Sequence, residues 1–423
     1  MRAILAGSLG CALLCSVALA ASTAPPKPAD VLKTYGDIAQ AAYGDSFTTA
    51  KALQTAVNAF LADPTEAKLT LARNAWKAAR VPYLQTEAFR FGNSVVDDWE
   101  GEVNSWPLDE GLIDYVASSY GKTSDENPLY TLNVIANKQI RIGSKQVNAS
   151  LIDRKLLKQL QQAQGVEANV ATGYHAIEFL LWGQDLHGTA PGAGERPASD
   201  YNVKACTHGN CDRRGQYLKA VTDLLVDDMA VMAADWAPGG KARTQLSGKG
   251  LDGGLSTVLT GIGSLSYGEM AGERMKLGLI LHDPEEEQDC FSDNTHNTHY
   301  YDELGIANVW RGRYVRVDGT VVQGPSFRDY AAGKNIAVAK RMDERIADTL
   351  AKVKLIKDTG DSGKMAYDQM IGNGNAAGNK MVQDAIDALI AQTRADEAVV
   401  AALGLKISLE RSDSLDNPAA VTR

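Results

Sequence analysis

Apolar residues recur at helical spacing along most of the chain and at strand spacing almost nowhere. Leu32, Tyr35, Ile38, Ala39 and Ala42 repeat every three or four positions, which predicts a first helix opening at Asp30. A second helix is expected over 46–61. Asp63-Pro64-Thr65-Glu66 supplies a cap residue, a proline at the first position and a carboxylate at the third. It predicts a third helix over 64–91, bent at Pro82. Further helices are expected over 151–162 with Ser150 as cap, and over 213–236, whose core face is Leu218, Val221, Leu225, Met229 and Met232. Three more are expected over 255–281, 335–356 and 379–403. Residues 92–128 lose periodicity, 184–210 are rich in Gly, Pro and Asn, and 239–254 read as a glycine-rich break. Tyr314 to Val322 alone looks like a hairpin, with Asp318-Gly319 as its turn.

This pattern predicts an all-α protein of two similar helical bundles, pseudo-duplicated four-helix bundles, with a minimal β hairpin. The duplication rests on an echo. Residues 83–91, with Glu87 and Arg90, resemble 267–275, with Glu269, Glu273 and Arg274. An acidic irregular stretch follows each, then a histidine-containing segment ending in Trp-Gly or Trp-Arg-Gly. The expected boundaries are a signal peptide at 1–20, a linker at 21–29, an N-terminal bundle at 30–205 and a C-terminal bundle at 206–423. A length of 423 residues also suggests two domains.

The first residues read as a secretory signal. Arg2 precedes a short apolar run over 3–17, and Ala18-Leu19-Ala20 forms a small-residue cleavage site. A lipoprotein anchor through Cys11 or Cys15 is the weaker alternative. No later run is apolar enough to cross a membrane. The mature chain is therefore expected to be exported, and periplasmic or peripherally associated with the cell envelope. Cys206, Cys211 and Cys290 remain. An oxidising compartment favours a Cys206–Cys211 disulfide, the rival being a metal loop that uses His208. Cys290 then stays a buried free thiol. The net charge of −9 argues against a nucleic-acid partner.

The stretch 173–183, Gly-Tyr-His-Ala-Ile-Glu-Phe-Leu-Leu-Trp-Gly, reads as a short helix closed by glycine. His175 and Glu178 share a face three positions apart. The helix is apolar nearly all round, so both side chains are expected inside. A buried carboxylate is costly unless it is paired or binds a metal. One reading is a satisfied core pair. The other is a metal site, which helical bundles build from inward-facing carboxylates and imidazoles. Glu87 and Glu273 are possible further ligands from neighbouring helices. Residues 282–302 hold His282, His296 and His299 among seven carboxylates. Glu285, Glu286 and Glu287 read as a solvated acidic loop, whereas His296 and His299, again three apart, suit iron, zinc or copper. The chain has no H-E-x-x-H, no G-x-S-x-G, no phosphate-binding loop and no dinucleotide fingerprint.

Several motifs together resemble the imelysin-like family, in its iron-regulated protein A branch. They are Trp76-x-x-x-Arg80-x-x-Tyr83 leading into Gln85-Thr86-Glu87-Ala88-Phe89-Arg90, then Trp106-Pro-Leu-Asp-Glu110, then Gly173-x-His175-x-x-Glu178-Phe-Leu-Leu-Trp-Gly183. Cys206-x-x-x-x-Cys211-Asp-Arg-Arg and Cys290-Phe-Ser-Asp293-Asn-Thr-His296-x-x-His299 continue the likeness. The resemblance implies two helical bundles with a site at their interface around the H-x-x-E helix, and a link to bacterial iron uptake. The metal ligands it suggests are His175 and Glu178, with Glu87 as third. His296 and His299 would complete that site or form a second one. Iron is the expected metal and zinc the alternative. The expected partners are iron or an iron chelate, and a membrane receptor or transporter. The family also carries a metallopeptidase label, so an enzyme is one alternative. An uptake-accessory protein with a purely structural His–Glu pair is another.

Overall fold

The computed structural model describes residues 24–421, so the signal-peptide expectation for 1–20 lies outside the described residues. The described chain is mostly helical, with two short two-stranded sheets. The two helices expected before residue 62 are one, α1 (Pro28–Ala62). Nothing breaks it at Asp45, because that carboxylate is satisfied from outside. It accepts from Tyr314 Oη at 3.0 Å, Arg316 Nη2 at 2.7 Å and the Val317 amide at 3.0 Å. These donors come from the hairpin of β3 (Arg313–Val315) and β4 (Val321–Gln323), which the sequence does predict.

α2 (Glu66–Leu84) is capped by Thr65, and ends sooner than its expected limit at Phe91. Thr86 explains the stop: both its amide and its hydroxyl donate to the Tyr83 carbonyl, at 2.7 and 2.6 Å. A 3-10 turn over Glu87–Phe89 follows. The aperiodic stretch hides α3 (Ser94–Val103). A hairpin that the periodicity missed pairs β1 (Gln139–Ile142) with β2 (Lys145–Asn148). α4 (Arg154–Leu160) is shorter than expected and is capped by Asp153 in place of Ser150. Next come α5 (Gly173–Trp182) and α6 (Cys211–Asp235).

The glycine-rich break is itself helical, forming α7 (Lys241–Gly248) and the start of α8 (Gly250–Ser264). The helix then widens into a π-helix over Leu265–Lys276 before α9 (Leu277–Leu281). Two glycines let a late segment lie against this wide turn. A Cβ on Gly272 would sit 2.3 Å from Ser412, and one on Gly268 would sit 2.8 Å from Glu410. Ser414 Oγ donates to the Gly272 carbonyl at 2.9 Å. The remaining helices include α10 (Thr295–Arg311), α11 (Phe327–Lys334), α12 (Ile336–Asp361), α13 (Tyr367–Ile371) and α14 (Ala376–Leu403).

Two apolar cores form. One gathers Leu53, Val57 and Phe60 of α1 with α2, α5, most of α6 and Phe291. The other gathers Tyr35, Ile38 and Tyr43 of α1 with α8, the π-helix, α10, α12 and α14. α1 thus threads both cores. α6 changes core near its end, since Met229 belongs to the first and Met232 to the second. Each core therefore draws residues from both sides of position 205. Cys206 and Cys211 are joined as a disulfide, and Cys290 is a buried free thiol. Among the described residues no helix is long and apolar enough to cross a membrane.

Candidate metal centre

α5 is buried along its whole length, from Gly173 to Trp182. Gly173 is required at its start. Its φ is +80°, and a Cβ there would lie 2.3 Å from the Val103 carbonyl oxygen. The helix end therefore presses directly on the end of α3. This contact fixes the position of the next turn, which carries His175 and Glu178.

Their third neighbour arrives from far along the chain. Asp289 sits in the irregular stretch before α10, and the start of α10 wraps it. Asp289 Oδ2 accepts from Asn294 Nδ2 at 3.0 Å and from Thr298 Oγ1 at 2.8 Å. Its amide donates to Thr295 Oγ1 at 3.0 Å. His175 Nδ1 lies 3.1 Å from Glu178 Oε2 and 3.7 Å from Asp289 Oδ1. His175, Glu178 and Asp289 each offer one ligand atom, and these atoms all lie within 4.8 Å of one another. None of the three side chains is more than 1 % exposed.

The group carries its own charge balance. Arg80 of α2 donates to Asp289 Oδ1 through Nη2 at 2.8 Å. Its guanidinium lies among the rings of Trp76, Tyr83 and Tyr174, at 5.6, 5.6 and 5.1 Å from their centroids. Burial favours protonation of Asp289, but Arg80 outweighs it and holds the carboxyl below its usual value. Glu178 has no such cation. Burial, followed by the neighbouring Asp289 charge, pushes its carboxyl well above the carboxylate range. Its Oε1 accepts from the Ser292 amide at 3.0 Å and from Ser292 Oγ at 2.7 Å. Burial, followed by the positive charge of Arg80, lowers His175 to about 3, so its imidazole is neutral at neutral pH. His175 Nε2 has no hydrogen-bond partner.

The other expected ligands lie in different surroundings. Glu87 Oε2 accepts from Arg274 Nη2 at 2.7 Å. Arg274 also reaches Asp302 Oδ2 at 2.7 Å and Glu269 Oε1 at 2.7 Å. The structure thus brings Glu87 to Arg274 and not into the His175 group. His296 Nε2 lies 3.0 Å from Asp361 Oδ1, and burial lowers its pKa despite that partner. His299 is fully buried against the edge of Tyr367, with neither ring nitrogen partnered. Burial, then Arg274, lowers it to about 3. Glu273 belongs to the π-helix wall of a separate cleft. His208 accompanies Asp200 at 2.6 Å beside the disulfide.

Asp289 is the member of this group that the sequence reading does not name. Two signals were present: it lies in the acidic histidine cluster, and it directly precedes the Cys290-Phe-Ser-Asp293 motif. Helical spacing could not find it, because it lies outside any regular element. Its partner Arg80, by contrast, stood out in the Trp76-x-x-x-Arg80-x-x-Tyr83 motif of α2.

The comparisons with known proteins agree with this architecture. Iron-regulated protein A of Synechococcus elongatus is 23% identical over 295 residues, covering 70% of this chain. The chain spans 66% of that relative's length, just short of two thirds. A protein from Parabacteroides distasonis assigned as an iron-regulated protein A precursor superposes with a TM-score of 0.62 at 17% identity. That match covers 90% of this chain and 97% of the other. An imelysin-like protein from Psychrobacter arcticus gives 0.59 at 15% identity, covering 92% and 100%. The two structures share the fold. The family model for Imelysin (Peptidase_M75) matches residues 39–395, and the chain belongs to the imelysin family.

Proposed function

We propose that this protein binds a single metal ion, iron before zinc, through His175 Nδ1, Glu178 and Asp289, as part of bacterial iron uptake. The observation that carries the reading is Glu178: a fully buried carboxyl, beside a second carboxylate, with no cation of its own. A cation that displaces its proton removes that penalty. One neutral imidazole nitrogen and two carboxylate oxygens form a borderline-hard donor set, which suits iron or zinc. Arg80 keeps the site one charge less negative, which favours reversible binding over permanent retention. Asp289 takes the third position expected of Glu87. His299, with both nitrogens unpartnered near the same Asp289, is the best placed of the remaining histidines to add a donor. The enclosure of the group favours a bare ion over a chelate. The family and the iron-regulated relatives support the link to iron. The N-terminal signal pattern supports export to the periplasm or envelope, where a membrane transporter would be the receiving partner.

The peptidase alternative is less well supported. Both Glu178 oxygens are engaged, one by Ser292 and one by His175, leaving no free base on this residue. The three ligands also lie too deep for a polypeptide to reach. The test is metal content by mass spectrometry after dialysis against iron and zinc, wild type beside Glu178→Ala. About one iron per chain in the wild type, lost in the variant, is the expected result. No retained metal in either protein would reduce His175 and Glu178 to core architecture.

A further inference from the structure

An ion bound by side chains this deep needs a way in, and one cleft leads toward them. It has a volume of about 660 Å³ and opens between α3 and the π-helix. Asp97, Asp98 and Glu100 line it from α3, and Glu269, Glu273 and Arg274 from the π-helix. Arg90 neutralises part of this wall, lying 2.9 Å from Asp97 and 3.5 Å from Glu269. Asp98, Glu273 and the nearby Glu167 form no ion pair among the described residues. The cleft therefore keeps a negative excess, and a concave wall of one sign concentrates counter-ions.

Its floor connects to the ligand group. Asn104 Nδ2 donates to Glu100 Oε1 at 3.1 Å, and Asn104 Oδ1 accepts from Arg80 Nη1 at 2.5 Å. Arg80 in turn holds Asp289, so a continuous hydrogen-bonded path runs from the cleft to a ligand. Gln288, which also lines the cleft, is the chain neighbour of Asp289. It is only 3 % exposed, and its Oε1 has no donor. A buried acceptor without a donor beside free carboxylates is a place for a cation or its hydration water. The wall itself is a π-helix, a rare form that is frequent at functional sites.

We propose that this cleft is the inlet of the metal centre: a hydrated divalent cation gathers at Asp98, Glu167 and Glu273 and passes Asn104 and Gln288 to reach Asp289. The inference rests on the metal-binding reading, and the two fail differently. Loading is timed by mixing wild-type protein with ferrous iron without oxygen, quenching with chelator and counting bound metal. Asp98→Asn with Glu273→Gln should load about threefold to tenfold more slowly at low salt, with a flatter ionic-strength dependence. Stoichiometry should be unchanged. Gln288→Leu should slow loading and release by the same factor, leaving the Kd as it was. Asp384→Asn, in α14 outside the cleft lining and paired with Lys380, should change nothing.

Normal loading rates in the Asp98/Glu273 double variant, with one ion still bound, would overturn the inlet and leave the binding reading standing. Loss of stoichiometry in that variant, with Glu178→Gln still loading fully, would make the cleft the holding site and overturn both. A wild type that binds no iron would also overturn both. The double variant changes surface residues, so the test stands even where Gln288→Leu fails to fold.

Discussion

Two arginine-centred charge clusters, around Arg274 and Arg80, are largely buried, and they are solved differently. Arg274 faces three carboxylates, Glu87, Glu269 and Asp302, each at 2.7 Å. The wide π-helical turn brings residues five apart onto one side, so Arg274 Nε also reaches Glu269 Oε1 at 2.9 Å. Arg80 faces one carboxylate, Asp289, and leaves Glu178 beside it without a cation. In the first cluster every acid touches Arg274, Arg90 adds a second guanidinium 3.5 Å from Glu269, and burial pushes the Asp302 carboxyl up. In the second, Glu178 touches no cation and lies beside a neutral imidazole. A buried acid with no cation in contact, beside a nitrogen donor, is the feature on which the proposed metal site rests.

The largest expected effect comes from removing each arginine. Arg274→Met and Arg80→Met should each cost on the order of 3–5 kcal/mol in denaturant unfolding, by stranding buried carboxylates. Saturating iron should restore part of the loss in Arg80→Met and none in Arg274→Met. Equal rescue, or none in either, would erase the distinction. The next contrast is between the two glutamates. Glu87→Gln removes a charged hydrogen bond and should cost about 1.5–3 kcal/mol. Glu178→Gln replaces a protonated carboxyl with an amide that can still accept from Ser292. It should shift unfolding by less than about 1 kcal/mol while abolishing metal binding. A large loss of stability there would show that Glu178 is ionised and paired in the metal-free protein.

Acid sharpens the comparison further. His175 and His299 are lowered to about 3 in the folded protein, below the ordinary histidine value. Their contribution is intact above pH ~6.5 and is lost as pH falls toward 3, because only the unfolded chain takes up those protons. Each should contribute about 1.4 kcal/mol per pH unit in that window. Unfolding followed between pH 7 and 4, with Gln at both positions as control, reads that slope. Metal affinity should change in the same direction for a different reason. The Glu178 proton must leave before an ion binds, so affinity should fall by about tenfold per pH unit as pH drops. Calorimetry in buffers of different ionisation enthalpy should detect about one proton released per ion. Binding with no proton release would place the ion elsewhere.

Much of this molecule was legible in the chain because helices announce themselves locally. The core face of α6 and the Asp318-Gly319 turn follow from spacing and turn chemistry, and so does a helix start within 63–66, although its cap is Thr65 and not Asp63. The misses are equally local in origin. α3 and the β1–β2 hairpin are short, and their apolar residues are too few to set a period. The break expected before residue 46 is absent because Asp45 is satisfied by a hairpin more than two hundred residues away. The π-helix could not be read at all. It shows only in the tertiary packing, where Ser412 and Glu410 sit directly over Gly272 and Gly268.

The same division runs through the site. The sequence alone determined an all-helical chain with a buried helix carrying His175 and Glu178, because an apolar face all round leaves those side chains nowhere to go but inward. It also favoured the short disulfide loop, but the rival metal loop through His208 stayed open until the structure joined Cys206 to Cys211. Only the tertiary structure decided which acid joins the pair. Glu87 and Asp289 are both buried acids near aromatic residues, and nothing in their spacing distinguishes them. The difference is their partners. Arg274 takes the first and Arg80 the second, and only Arg80 comes from the helix whose Trp76 and Tyr83 pack against α5. Electrostatic balance in a buried site depends on which charges meet, and that is set by the packing of helices distant in sequence.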